Sequence, residues 1–124
     1  MLGGIEAEGL PLFDVRGDAF ALLRGAGLSF GIWRISTRVD LDRVEPDSPL
    51  LLAVYADDDL DQERTLLQRH PTLVVGVGLG EWYGSVALSR GAVGYCRAEL
   101  DPPALREAIT EGLGRAISKA RDRR

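Results

Sequence analysis

Two uninterrupted apolar runs constrain this chain most: LLLAVY at residues 50–55 and TLVVGV at 72–77. A strand with one wet face alternates apolar and polar side chains, whereas a strand covered on both faces reads as continuously apolar. Each run therefore predicts a parallel strand buried between helices. The segments around them support that reading. DVRGDAFALLRGAG places Val15, Ala19, Leu22, Leu23 and Ala26 at helical spacing, with Gly25 and Gly27 where a helix would end. LSFGIWRIS predicts a strand through Phe30, Ile32, Trp33 and Ile35, and TRVDLDRVEPDS leaves room only for a short helix or an irregular crossover. ADDDLDQERTLLQRH predicts a loop and short helix, EWYGSVALSR a helix, and GAVGYC a short strand. DPPALREAITEGLGRAISKARDRR is the clearest helix: Asp101 is placed to cap it, Pro102 or Pro103 suits its first turn, and Gly112 and Gly114 weaken its second half. At the other end MLGGIEA offers a first strand, interrupted by two glycines. Strands alternating with helices describe an α/β protein, an open parallel sheet with helices on both faces.

A chain of 124 residues suits one domain, residues 1–124, with about 118–124 as a charged helix end or a linker to a downstream module. Fifteen basic residues against 19 acidic ones give a net charge of −4 and no wholly basic surface for nucleic acid. No apolar run reaches membrane-spanning length, and MLGGIEAEG lacks the features of a secretory signal, so a cytoplasmic location is expected. The lone Cys96 rules out an internal disulfide.

The segment from Gly91 to Ile109, GAVGYCRAELDPPALREAI, carries Gly91-Ala92, then Gly94-Tyr95, then Glu99 and a leucine–acid–proline helix start at Leu100, Asp101 and Pro102. It resembles the final strand and helix of bacterial response-regulator receiver domains, in the branch attached to helix-turn-helix output domains. PDSPLLL, residues 46–52, resembles the strand bearing the phosphoacceptor, and EGLPLF, residues 8–13, loosely matches the acidic pair and the helix start after it. The resemblance implies a five-stranded parallel sheet in the order 2-1-3-4-5. It also implies that the switch chemistry is missing. The phosphoacceptor aspartate falls on Leu52, or on Tyr55 if the register slips to the strand end. The conserved hydroxyl falls on Val77 and the conserved lysine on Ala98, and of the acidic pair only Glu8 has a match. Phosphoryl transfer needs a carboxylate nucleophile, a hydrogen-bond donor and cations to offset developing charge. Leucine, valine and alanine supply none of these. Arg97 carries charge, but strand alternation aims it away from the face of residue 98.

Other residues invite functional readings. Asp57, Asp58, Asp59 and Asp61, followed by Glu63, sit past a strand's carboxyl end, where open α/β sheets bind ligands; they could hold a hard cation, or they are a solvated loop whose acids favour a helix start. A diverged acidic pocket would require Asp57 to approach Glu6 or Glu8. His70 and Cys96 suggest a base and a nucleophile, but His70 belongs to the opposite sheet edge and Cys96 reads as core. Gly76, Gly78 and Gly80 lack the full dinucleotide fingerprint and are explained by turns and close packing. RGD at residues 16–18 is coincidence at a helix start.

Trp82 and Tyr83 are neighbours, and a helix cannot bury both on one face. An interface built from residues 81–90, 92–97 and 103–118 is therefore expected, with Trp82, Tyr83, Arg97, Arg106 and Arg115 in it. The combined expectation is a non-catalytic, phosphorylation-independent regulatory or dimerising domain, without cofactor, acting as a homodimer or on an output domain beyond Arg124. It makes no direct contact with nucleic acid or membrane. The alternative is a small metal- or ligand-binding domain or enzyme using the acidic edge Asp57–Asp61.

Overall fold

The structure, a computed structural model, describes residues 9–28 and 30–122. Five strands, β1 (Leu10–Phe13), β2 (Ile32–Ile35), β3 (Leu50–Tyr55), β4 (Thr72–Val77) and β5 (Gly94–Arg97), form one parallel sheet in the order β2-β1-β3-β4-β5. Five helices cover it: α1 (Asp18–Arg24), α2 (Arg38–Leu41), α3 (Arg64–Arg69), α4 (Tyr83–Ser89) and α5 (Pro102–Asp122). A 3-10 turn, Leu60–Glu63, leads into α3.

The two apolar runs are β3 and β4, paired in register along their full length from Leu50–Thr72 to Tyr55–Val77. Their continuity has the expected cause. Leu51 and Ala53 pack beneath α1 and α5 with Leu73 and Val75. Leu52 and Val54 pack beneath α2, α3 and α4 with Val74. Every residue of β3 is buried, so neither face tolerates a polar group without a partner.

The first strand among the described residues comes later in the chain than MLGGIEA. MLGGIEA lies outside the described residues, and the central strand β1 is formed by LPLF, which the family match had divided between an acidic pair and a helix start. Pro11 disguises it, because proline removes a ladder donor. The sheet accommodates it simply. Leu10 and Asp14 donate backwards to β2, at Gly31 O and Ile35 O, and pairing with β3 begins only at Leu12, past the missing N–H.

Helix α5 runs unbroken through both of its glycines to Asp122. Gly112 is buried there, and a Cβ on it would lie 2.7 Å from the methyl carbons of Leu73 on β4. The glycine lets the helix sit directly on the sheet.

Candidate functional site

The carboxyl ends of β1, β3, β4 and β5 bring Asp14, Tyr55, Val77 and Ala98 to one edge of the sheet. Asp14 follows β1 directly. Its loop is pinned from the edge strand by Arg34, whose guanidinium donates to Asp14 O at 2.8 Å and Val15 O at 2.7 Å. Gly17, at φ +94, then turns the chain into α1.

Asp14 and Tyr55 form a closed network. The Tyr55 hydroxyl donates to Asp14 Oδ1 at 2.6 Å, Phe20 N donates to Asp14 Oδ2 at 2.9 Å, and Ala19 N donates to the Tyr55 oxygen at 3.2 Å. Asp14 is 1 % exposed and Tyr55 6 %. Two N–H groups in the first turn of α1, which would otherwise lack partners, are thus satisfied from within the protein. Burial, reinforced by the Asp14 carboxylate, pushes the Tyr55 phenol up to about 12. It stays a neutral donor at ordinary pH. Arg16 closes the network from outside: its guanidinium lies 4.6 Å from the Tyr55 ring centroid and forks onto Asp57 at 2.5 and 2.6 Å. That hydrogen bond raises the Arg16 pKa and lowers that of Asp57.

Of the two registers open for the phosphoacceptor position, Leu52 is buried in mid-strand on the α2–α4 face, and Tyr55 ends β3 beside Asp14. Val77 ends β4, partly buried on the α1/α5 face. Ala98 is held one residue past β5 by its N–H to Gly76 O at 2.8 Å, with its side chain buried. Arg97 points the other way, as alternation requires, and donates to Leu79 O at 3.0 Å. Glu8 and Glu6 lie outside the described residues.

The acidic run does not gather into a site. Asp57 is held by Arg16, and Asp58 accepts from Tyr55 N at 2.8 Å. Asp59 caps the 3-10 turn through Asp61 N at 3.0 Å, Asp61 pairs with Arg90, and Glu63 pairs with Arg38 at 2.7 Å. Among the described residues, no three His, Cys, Asp or Glu side chains form a group that could hold a metal ion. A cavity of about 330 Å³ remains between Phe13, Arg16, Arg38, Tyr55 and Asp59. His70 is buried where α3 meets β4, its Nδ1 donating to Ser48 O at 3.1 Å, at the far edge of the sheet. Cys96 is buried on the α1/α5 face, and burial pushes its thiol up to about 12, which leaves it a poor nucleophile.

The expected interface residues separate. Trp82 is 67 % exposed, but Tyr83 is 9 % exposed and packs in the core under α4, its ring 5.8 Å from that of Tyr95. Arg106 belongs elsewhere: it ties α5 to the end of α1 through Ala26 O at 2.9 Å. Arg97 and Arg115 do share a surface, a groove of about 590 Å³ between α4, β5 and α5 that also includes Leu88 and Leu100. Arg115 pairs along its helix with Glu111.

Asp14 is the site residue that sequence reasoning missed. Its signal was an acid directly after a short apolar run, hidden by Pro11 and by the helical spacing that starts at Val15.

No family model matches the chain, and no curated protein does. Among solved structures it is similar to the signal receiver domain of a protein provisionally named Luxo repressor from Vibrio parahaemolyticus. The likeness covers 89 % of this chain and 92 % of that one, at a TM-score of 0.59 and 14 % identity. The chain therefore has the receiver fold, an open five-stranded parallel sheet in the order 2-1-3-4-5 flanked by helices.

Proposed function

We propose that this is a non-catalytic, phosphorylation-independent receiver-like domain, the regulatory or dimerising part of a cytoplasmic bacterial signalling or transcription regulator. The observation that carries the reading is the bond from Tyr55 to Asp14. In this reading Tyr55 stands where a receiver carries its phosphoacceptor, and Asp14 stands for the metal-binding acids. A phenol that is buried, neutral and already committed to a carboxylate cannot serve as the nucleophile. Val77 offers no hydroxyl to phosphoryl oxygens and Ala98 no charge. The receiver fold of the neighbour from Vibrio supports the class of protein.

A domain without a phosphoryl switch can still act by holding two output modules together, because tethering raises their effective concentration at adjacent sites. Leu88, 55 % exposed, lines the α4–β5–α5 groove, and Trp82, 67 % exposed, follows its lining residue Glu81; the two supply apolar contact, with Arg97 and Arg115 for paired charge. Sedimentation equilibrium, with and without a small phosphodonor and Mg²⁺, tests this. The expected result is the same self-association in both conditions, weakened by Trp82→Ala. Association only in the presence of the phosphodonor would contradict the reading. A monomer under all conditions would remove its dimerising half and leave an attached output domain as the partner.

A further inference from the structure

The motif GVGLG, residues 76–80, has no part in the network at Asp14, yet each of its glycines meets a structural demand. A Cβ on Gly76 would lie 2.4 Å from the Tyr95 hydroxyl oxygen, so the glycine makes room for that ring. Gly78 has φ +71, which only glycine adopts without strain. A Cβ on Gly80 would lie 2.7 Å from Cδ1 of Trp82. The turn they form is held by every second residue of YCRAE, residues 95–99, two of them on β5 and the third in the turn after it. The Tyr95 hydroxyl donates to Gly80 O at 2.9 Å, Arg97 Nε donates to Leu79 O at 3.0 Å, and Glu99 Oε2 accepts from Gly78 N at 2.8 Å. The three bonds run in order, 95 to 80, 97 to 79 and 99 to 78. Strand alternation puts Tyr95 and Arg97 on one face of β5, and Glu99 reaches Gly78 from the turn that follows the strand.

We propose that GVGLG and YCRAE are two halves of a latch that holds the β4–α4 turn, and Trp82 with it, in one position without any ligand. The turn leads directly into α4. Tyr95 also supports the helix from below: a Cβ on Gly84 would lie 3.3 Å from its ring, and Tyr83 packs against it. Trp82 in turn stands edge-on to Tyr83 at 5.5 Å. Fixing residues 78–80 thereby fixes the exposed indole at the start of α4, next to Glu81, which lines the α4–β5–α5 groove. A loop with no such bonds would sample several positions and order only on binding. Here the ordering is built in, so the start of α4 is preset. The latch does not rest on the absence of phosphorylation. It concerns a different loop, and none of its three bonds involves Asp14 or Tyr55.

The test is NMR relaxation dispersion and amide hydrogen exchange on the full chain, in wild type, Tyr95→Phe and Glu99→Ala. Tyr95→Phe keeps the ring and removes one bond. Glu99 is exposed, so its alanine variant leaves the core untouched. In the wild type, Gly78, Gly80 and the Trp82 indole should give single resonances with flat dispersion profiles. Glu99→Ala should speed exchange at Gly78 by about tenfold or more, the loss expected for a hydrogen bond to a charged acceptor. Tyr95→Phe should introduce dispersion from residue 78 to residue 84. Dispersion at the turn in the wild type, or two variants indistinguishable from it, would overturn the latch. So would a turn that shifts on addition of a phosphodonor and Mg²⁺. The protein's mass in that sample separates failure of the latch alone from failure of the phosphorylation-independent reading.

Discussion

Tyr55 carries the account at the scale of single residues. Its hydroxyl is buried between a carboxylate acceptor and a backbone donor, so Tyr55→Phe strands Asp14 Oδ1 and Ala19 N together. The expected cost is about 1–2 kcal/mol, read as a lower urea midpoint at unchanged slope. Arg16→Ala should shift that midpoint far less, because its pair with Asp57 is open to solvent. The tyrosines also set an alkaline limit. Burial raises all three phenols above their ordinary 10.0, Tyr55 and Tyr95 to about 12. A folded-state pKa above the unfolded value means the contribution is complete below pH 10 and is lost as pH rises towards 12. Phenolate absorbance of the native chain should therefore titrate above that of the chain in denaturant; coincident curves would contradict the buried placements. The sequence revealed less here than elsewhere. Tyr55 was one of two registers because an apolar run does not mark its own functional residue. Asp14 was hidden because one acid beside a helical pattern looks like a helix start.

Among the elements, the long apolar runs were legible and the short strand was not. β3 and β4 follow from burial on both faces, which leaves a signature in every residue. β1 is only four residues long and contains a proline, so its pattern disappears although it lies between β2 and β3. Its place depends on what its neighbours need, which is tertiary information. Helix α5 shows a similar limit: its glycines read as weakness, yet one of them is a contact. Two substitutions separate the roles. Gly114 is exposed, and a Cβ on it would meet no atom within 4 Å, so Gly114→Ala should stabilise the protein by about 0.5–1 kcal/mol through helix propensity. Gly112→Ala gains the same propensity but drives a methyl group into Leu73, and overpacking of about 1–3 kcal/mol should reverse the sign. Thermal or urea midpoints of the pair check this, and two variants of equal stability would contradict the close approach of α5 to β4.

For the whole molecule, the edge that in this fold offers ligands a place is tied together by the protein's own side chains around a cavity of about 330 Å³. Arg34, Asp14 and Tyr55 hold the β1–α1 loop; Arg16, Arg38 and Arg90 pair with Asp57, Glu63 and Asp61 after β3; Tyr95, Arg97 and Glu99 hold the turn after β4. The sequence made the acidic run visible but not its partners, because each arginine comes from another element and reaches its acid only after folding. The run reads as a candidate cation site in the sequence; in the fold Asp57, Asp61 and Glu63 each meet an arginine, while Asp58 and Asp59 accept from backbone N–H groups. The architecture was legible in the alternation of strands and helices, whereas the state of the site was decided by contacts between residues as far apart as 14 and 55. The most direct measurement is the intact mass of the full chain after incubation with a small phosphodonor and Mg²⁺. The account predicts a single species at the unmodified mass, and a stoichiometric adduct of one phosphoryl group, labile to hydroxylamine as an acyl phosphate is, would contradict it.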